Sequence, residues 1–405
     1  MAELYTLPDG WEWKPLISLT EVFSDGDWIE SKDQSDDGIR LIQTGNIGIG
    51  IFKDREDKSR FISESTFERL NCTEIYENDC LISRLPEPVG RSCLIPKMDL
   101  KLITSVDCTI VRFKESVLPK LFVYYSQSNY YFNMIMNNST GATRLRISKK
   151  NLSNIPIPLP PLSEQQRIVA KLDNLFAKID KAIALHQKNI DEANVFMASV
   201  LNDVFVELEE KYGLIKINDV VVKTKNKNPL NEKDTPFTYI DISSIDNKSF
   251  KIVEPKQLIG SEAPSRAKKE VFQGDIVYST TRPNLKNIAI VSENYNNPIA
   301  STGFCVLRTN EKTINSYLFY FLITEKLFEQ IEPNIRGAQY PATSDNDLKN
   351  CNIPNAPYET QQKVVSYLDE ISNKMEKIKQ IQKEKMQSLK ELKASILDQG
   401  FKGEL

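Results

Sequence analysis

The sequence predicts an α+β protein built twice: two similar α+β domains separated by two long antiparallel coiled-coil helices, with an internal pseudo-two-fold repeat. Three observations predict it. The chain of 405 residues repeats itself at a fixed offset, Gly141-Ala142 recurring as Gly337-Ala338 with 337 − 141 = 196. Short β-like runs broken by turn residues occupy the first part of each copy. A heptad-like apolar stripe occupies the second part of each.

The same offset links Asp79 to Asp275, Ser83 to Ser279, Arg112 to Arg308, Pro158 to Pro354, Gln165-Gln166 to Gln361-Gln362, Leu172-Asp173 to Leu368-Asp369 and Phe205 to Phe401. Earlier in each copy the offset shifts slightly, Ile42 and Ile47 matching Ile240 and Ile245. A duplication of this length predicts two bodies presenting similar surfaces. Duplex DNA is a natural partner for such an arrangement.

Taken in chain order, each first part shows strands at Cys80 to Ser83 and Cys108 to Val111, copied at Ile276 to Ser279 and Cys305 to Leu307. Between them lies at least one helical segment, Pro119 to Met136, copied at Asn315 to Ile331. Pro156, Pro158, Pro160 and Pro161 then stop any earlier helix, and Ser163-Glu164-Gln165-Gln166 reads as a capping box opening the first long helix. Its stripe is Ile168, Leu172, Leu175, Ile179, Ile183, Ile190, Met197 and Leu201. The second long helix carries Val364, Leu368, Ile371, Met375, Ile378, Met386, Leu389 and Ile396, with Glu359 at its cap position. A helix of ~40 residues is ~60 Å long and needs a partner along its length. The other copy supplies one, in an antiparallel pair with an α+β domain at either end; packing on their own domains, or oligomerisation, is the competing arrangement.

Composition excludes several classes. The longest strongly apolar run, Tyr317 to Ile323, is too short to span a bilayer. The start, Met1-Ala2-Glu3-Leu4-Tyr5, lacks the basic and apolar stretches of a secretion signal. Six scattered cysteines without a Cys-x-x-Cys read as buried free thiols in a reducing cytoplasm. The single His186 sits in a helical pattern, so no histidine-rich metal site or Ser-His triad is expected, and neither a catalytic residue, a metal nor a cofactor is assigned. Asp33-x-Ser35-x-Asp37-Gly38 begins like a calcium loop, but Thr44 stands where a bidentate Glu is required. Net charge is −3, unhelpful for DNA binding as a sum. Distribution matters more: basic clusters occur at Arg144, Arg146, Lys149 and Lys150, at Lys223, Lys225 and Lys227, and at Arg266, Lys268 and Lys269.

The junction Thr140-Gly141-Ala142-Thr143-Arg144, followed by the run from Ile155 through Pro160-Pro161-Leu162-Ser163-Glu164-Gln165-Gln166 to Val169, resembles the specificity (S) subunits of type I restriction–modification enzymes. Leu7-Pro8-Asp9-Gly10-Trp11 and the C-terminal Phe401-Lys402-Gly403-Glu404-Leu405 are similar to that family too. The second copy departs from the pattern, with Gly337-Ala338-Gln339-Tyr340-Pro341 and Asn355-Ala356-Pro357-Tyr358, which weakens transfer of single contacts. The resemblance implies a non-catalytic subunit with target recognition domains at 1–159 and 211–356 and conserved helices at 160–210 and 357–405. Each domain would read half of a split, asymmetric site in double-stranded DNA. The helices would set the spacer and dock two methyltransferase (M) subunits, with restriction/translocase (R) subunits joining the full complex.

Base reading needs donors and acceptors on loops. In the first copy the candidates are Arg84, Arg91, Thr143, Arg144 and Arg146, with Ser148, Lys149 and Lys150 for phosphates. In the second they are Thr281, Arg282, Asn284, Lys286 and Asn287, with Arg336, Gln339 and Tyr340 at the place of the Thr143-Arg144 loop. Asn355-Ala356-Pro357-Tyr358 looks faintly like the Asn-Pro-Pro-Tyr loop of amino-methyltransferases, but its repeat partner Leu159-Pro160-Pro161-Leu162 is a plain linker. The alternative function is a coiled-coil scaffold with two protein-binding ends and no DNA affinity.

Overall fold

Strands and helices form where the apolar periodicity places them. In the computed structural model the described residues are 4–141 and 143–405. Met1-Ala2-Glu3 and Ala142 lie outside them, so the N-terminal start is placed only from Leu4, and of the repeated Gly141-Ala142 pair only Gly141 is placed. The chain forms two units, one ending at His186 and completed by Glu384–Leu405, the other comprising Gln187–Lys383.

The first unit holds an antiparallel sheet in the order Thr20–Asp25, Cys108–Phe113, Cys80–Ser83, Ser92–Leu94. A second sheet runs Phe61–Ile62, Ile39–Ile42, Leu102–Thr104, its last pair parallel. The second unit repeats the first sheet as Val221–Val222, Phe304–Thr309, Ile276–Ser279, Ile288–Ile290. It enlarges the other to four strands, Lys256–Ile259, Pro236–Ile240, Ile299–Ser301, Ala267–Glu270, keeping the parallel pair.

The framework bonds repeat at the sequence offset. Asp79 is buried and receives the Arg112 fork at 2.8 and 2.7 Å; Asp275 receives Arg308 at the same distances. Each guanidinium also lies over a ring, Arg112 over Tyr76 and Arg308 over Phe272. The hydrogen bonds to the carboxylate hold the arginine charge, raising its pKa.

The helical segment expected in each domain is divided into two helices. Pro119–Tyr125 is followed by Asn129–Asn137, and Asn315–Leu322 by Glu325–Ile331. The Ser128 hydroxyl accepts from the Tyr131 amide, and Thr324 does the same for Leu327. A hydroxyl that satisfies the next helix's first turn makes a break cheaper than continuation.

The long helices are Leu162–Tyr212 and Tyr358–Lys402. The first begins before Ser163, so that serine lies within the first turn and the capping box is not formed. Gln165 points inward instead. Its Oε1 accepts from Leu118 N at 2.8 Å, and its Nε2 donates to Ser116 O and Pro160 O. Gln361 repeats all three bonds with Ile314, Lys312 and Ala356.

Within each unit, segments of the two helices run antiparallel. In the first, Lys393 pairs with Asp180 at 2.8 Å and Arg167 donates to Leu405 O. In the second, Asn189 donates to Gln382 Oε1 and Tyr212 bonds Thr360. The helices also pack on the α+β domains: Ile168, Leu172 and Phe176 join Leu397 and Phe401 in the core with Phe122 and Tyr125. Leu201, Phe205, Leu208 and Leu368 do the same beside Tyr317 and Phe321. Both arrangements weighed for the apolar stripe are therefore present, helix on helix and helix on domain.

Candidate nucleic-acid interface

In the first unit, strands Ser139–Thr140 and Arg146–Ile147 pair antiparallel and present the intervening loop. Gly141 has φ +122°, and a Cβ there would lie 2.3 Å from Arg144 O, so this turn admits only glycine. Ile147 is buried and its amide donates to Arg84 O, tying the hairpin to the Cys80–Ser83 strand end. Thr143 and Arg144 are exposed at the loop, and no carboxylate among the described residues pairs with Arg144. Arg146 is exposed but pairs with Asp107 at 3.1 Å. The Ser148 hydroxyl accepts from Asn151 N, capping a short helix that exposes Lys149 and Lys150.

The second unit builds the same hairpin from the Arg336–Ala342 bridge, with Gly337 at φ +91° and a Cβ there meeting Tyr340 O at 2.8 Å. Thr343 N donates to Thr280 O, the counterpart of the Ile147 bond to Arg84. Thr281 bridges Ala342, and Arg282 N donates to Pro341 O at 2.7 Å. Arg336, Gln339 and Tyr340 are exposed, as are Arg282 and Asn284.

Four sequence-derived candidates face inward and are corrected. Arg91 is 7% exposed: its Nε donates to Ile47 O, its Nη1 to Leu85 O and Pro88 O, and its Nη2 to Thr44 O. Burial lowers its pKa, but four carbonyls hold the charge in place of water. Arg84 is buried against Val106 O and the Asp25 carboxylate. Lys286 Nζ is committed to Ile323 O and Glu325, and Asn287 is buried on the sheet with its carbonyl accepting from Ser279 N. These four residues build the loops that present the others. Of the other basic clusters, Lys227 pairs with Glu232, Lys268 donates to Asn228 and Lys269 pairs with Asp345. In the calcium-like loop, Asp33 is buried on Arg69 and the Glu30 amide, whereas Asp37 and Gly38 are exposed.

Sequence reasoning overlooked Trp28, 70% exposed just beyond the Thr20–Asp25 strand that supplies Asp25 to Arg84. Its signal was a lone tryptophan in the polar run Asp27-Trp28-Ile29-Glu30, an unusual place for so large an apolar surface.

Arg91→Ala is expected to lower the stability of the first unit by about 3 kcal/mol, because it orphans buried carbonyls. Arg144→Ala should leave the melting temperature unchanged. Urea denaturation of the two variants checks the contrast; equal stability would return Arg91 to the list of surface contacts.

What these paired loops belong to is decided by comparison. The model of the type I restriction modification DNA specificity domain matches the chain twice, over residues 8–193 and 209–385. The chain belongs to this family. It is 22% identical to the EcoKI specificity subunit of Escherichia coli K12 over 425 aligned residues, covering 98% of this chain and 90% of that one. It is 25% identical to the MjaVIII specificity subunit of Methanocaldococcus jannaschii over 307 residues, 70% of each chain. A chain solved in a study of complex assembly and conformational transition of the type I restriction–modification system shares the fold at TM-score 0.74 and 21% identity, covering 99% of this chain and 100% of that one. The HsdS subunit of Thermoanaerobacter tengcongensis follows at TM-score 0.52 and 22% identity, with 99% of each chain covered. As a specificity subunit, the chain has DNA target recognition as its role, in a family that is generally non-catalytic. Asn355-Ala356-Pro357-Tyr358 is here a linker between strand Asn352–Pro354 and the second long helix, with Asn355 N donating to Gly213 O. No helix among the described residues is long and apolar enough to cross a membrane.

Proposed function

We propose that this specificity subunit reads a two-part asymmetric site in double-stranded DNA, one recognition domain per part. The domains extend over 1–159 and 211–356, and the long helices set the spacing between the parts. The observation that carries this reading is the contrast between framework and loops. Buried bonds repeat at offset 196, whereas the exposed loop carries Thr143-Arg144 in one copy and Gln339-Tyr340 in the other. Equal frameworks with unequal loops suit the reading of unequal half-sites. Thr143, Arg144, Arg146 and Lys149, Lys150 serve the first part; Thr281, Arg282, Asn284, Arg336, Gln339 and Tyr340 serve the second. Ser148 helps by placing the two lysines.

Two M subunits dock on the long helices, and R subunits complete the enzyme. Support comes from large apolar side chains left bare along the helices, Leu185, Val195 and Phe196 on the first and Tyr367 on the second. The charge that this acidic chain lacks for gripping phosphate comes from the M subunits, and the complex works in the cytoplasm, where the six buried cysteines stay reduced.

In the assembled complex, replacing residues 1–155 by another recognition domain should change one half-site and leave the other intact. Removing two turns from the helix between 164 and 205 should alter the spacer or abolish binding. Mapping methylated adenines in cells carrying each variant reads both outcomes. A single continuous protected block on DNA, with no indifferent middle, would refute the two-part reading.

A further inference from the structure

We infer that Arg282 reads a guanine in the half-site of the second recognition domain, with Tyr340 as the residue that aims it. This rests on the two-part reading above and adds a residue, a base and a geometry. Three observations carry it. Arg282 adopts φ 50°, ψ 58°, a left-handed conformation that a long side chain avoids unless the surroundings impose it. Its guanidinium lies over the Tyr340 ring, 5.4 Å from the centroid, and Tyr340 is 67% exposed. No carboxylate among the described residues pairs with Arg282, although both Asp275 and the neighbouring Lys286 have ionic partners nearby.

The backbone around Arg282 is fixed from both sides. Its amide donates to Pro341 O, its carbonyl accepts from Leu285 N, and the following Pro283 is buried. Lys286, also left-handed, closes the turn and is anchored on Ile323 O and Glu325. Asn247 Nδ2 donates to Leu285 O at 2.9 Å. A loop so tied does not move its arginine far, and the exposed Arg282 side chain rests against the Tyr340 ring with its N–H fork paired to no carboxylate among the described residues. That fork matches the O6 and N7 acceptors that only guanine presents together in the major groove. A loose surface arginine would serve as a phosphate contact and needs neither the strained backbone nor the aromatic seat.

The first domain lacks this device. The positions matching Arg282 and Tyr340 at offset 196 are Pro86 and Arg144, so the pair belongs to the part of the repeat that diverged. The guanine read by this pair therefore lies in the second half-site.

The test uses the complex with its methyltransferase subunits and a pool of duplexes in which the second half-site is randomised around the mapped site. The wild type should demand guanine at one position. Arg282→Ala should relax that position by about 10- to 100-fold while leaving the remaining positions and the first half-site unchanged. Arg282→Lys should lose the same discrimination, since an ammonium has no fork. Tyr340→Phe should behave as wild type, and Tyr340→Ala should relax the same position by a smaller factor. Arg282→Asn, which tolerates the left-handed backbone, should melt no lower than wild type and still lose the reading, separating recognition from folding. Uniform weakening on all sequences by Arg282→Ala, an unchanged preference, or a change at a position other than guanine overturns the inference. Failure of the wild type to select any two-part sequence overturns the underlying reading instead.

Discussion

Phe401→Ala and Phe205→Ala are each expected to destabilise the subunit by about 3–5 kcal/mol, the range for deleting a fully buried ring from a packed core. The two phenylalanines are repeat partners, and each closes the core of one unit. Phe401 meets Tyr125 edge to face with centroids 5.1 Å apart, beside Leu172 and Leu397, and its carbonyl accepts from the Tyr5 hydroxyl at 2.9 Å. Phe205 packs on Tyr317 and Phe321 at 5.4 and 5.3 Å. The consequences differ locally. Losing Phe401 frees the end of the second helix from the first unit, which exposes the helix end and the N-terminal segment that Tyr5 pins to it. Losing Phe205 leaves a cavity inside a continuous helix that remains anchored by Leu201 and Leu208. Hydrogen exchange should therefore show increased opening around residues 5 and 397–405 for Phe401→Ala, and around 317–321 for Phe205→Ala. Losses below 1 kcal/mol in denaturation, or identical exchange patterns, would contradict the assignment of separate cores.

Much of this was legible because a duplicated sequence reports its own constraints. Several positions that recur at 196 belong to the framework, and Asp79, Arg112, Gln165, Asp173 and Phe205 are all engaged in the structure. Recurrence does not say what a residue touches. Ser163 and Gln166 read as a capping box, yet the helix starts at Leu162, and it is the neighbouring Gln165 whose side-chain amide satisfies buried backbone groups on the adjacent loop. Nor did the helical segment Pro119 to Met136 reveal its break, since Ser128 acts through one hydroxyl that composition does not weigh.

The candidate site was legible as loops and less so as side chains. Arg84 and Arg91 flank a turn-rich stretch, and an arginine fork aimed at carbonyls reads in sequence like one aimed at solvent. The missed cue was Leu85 and Val89, both buried, which pull that stretch onto the core and carry Arg91 with them. The Thr143-Arg144 and Gln339-Tyr340 loops lack such anchors, and Gly141 and Gly337 turn them outward. Loop identity, set by glycine and hairpin geometry, survives divergence; side-chain direction depends on neighbours far away in sequence.

Asp79→Ala and Asp275→Ala are the second pair with large expected effects, at about 3 kcal/mol each. Each carboxylate is nearly sealed from water, while its arginine partner is about a third exposed, so the arginine left behind is partly hydrated and the loss falls at the lower end for a buried pair. The aspartate does more than hold an ion. Its second role is to accept from the amide three residues earlier, Tyr76 N at 2.9 Å and Phe272 N at 2.8 Å, which fixes the turn entering the central strand. Asn at either position keeps that turn acceptor and removes the charge, so Asp79→Asn and Asp275→Asn should lose less than the Ala variants, whereas Arg112→Lys and Arg308→Lys should themselves be destabilised, because a single ammonium cannot span both carboxylate oxygens. Denaturation of the six variants in the full chain checks the ordering. The two copies should respond alike, since distances, ring contacts and burial agree between them. A large asymmetry would mean that the repeat shares its geometry without sharing its energetics, and that one domain has shifted its stability to other contacts as its loops diverged.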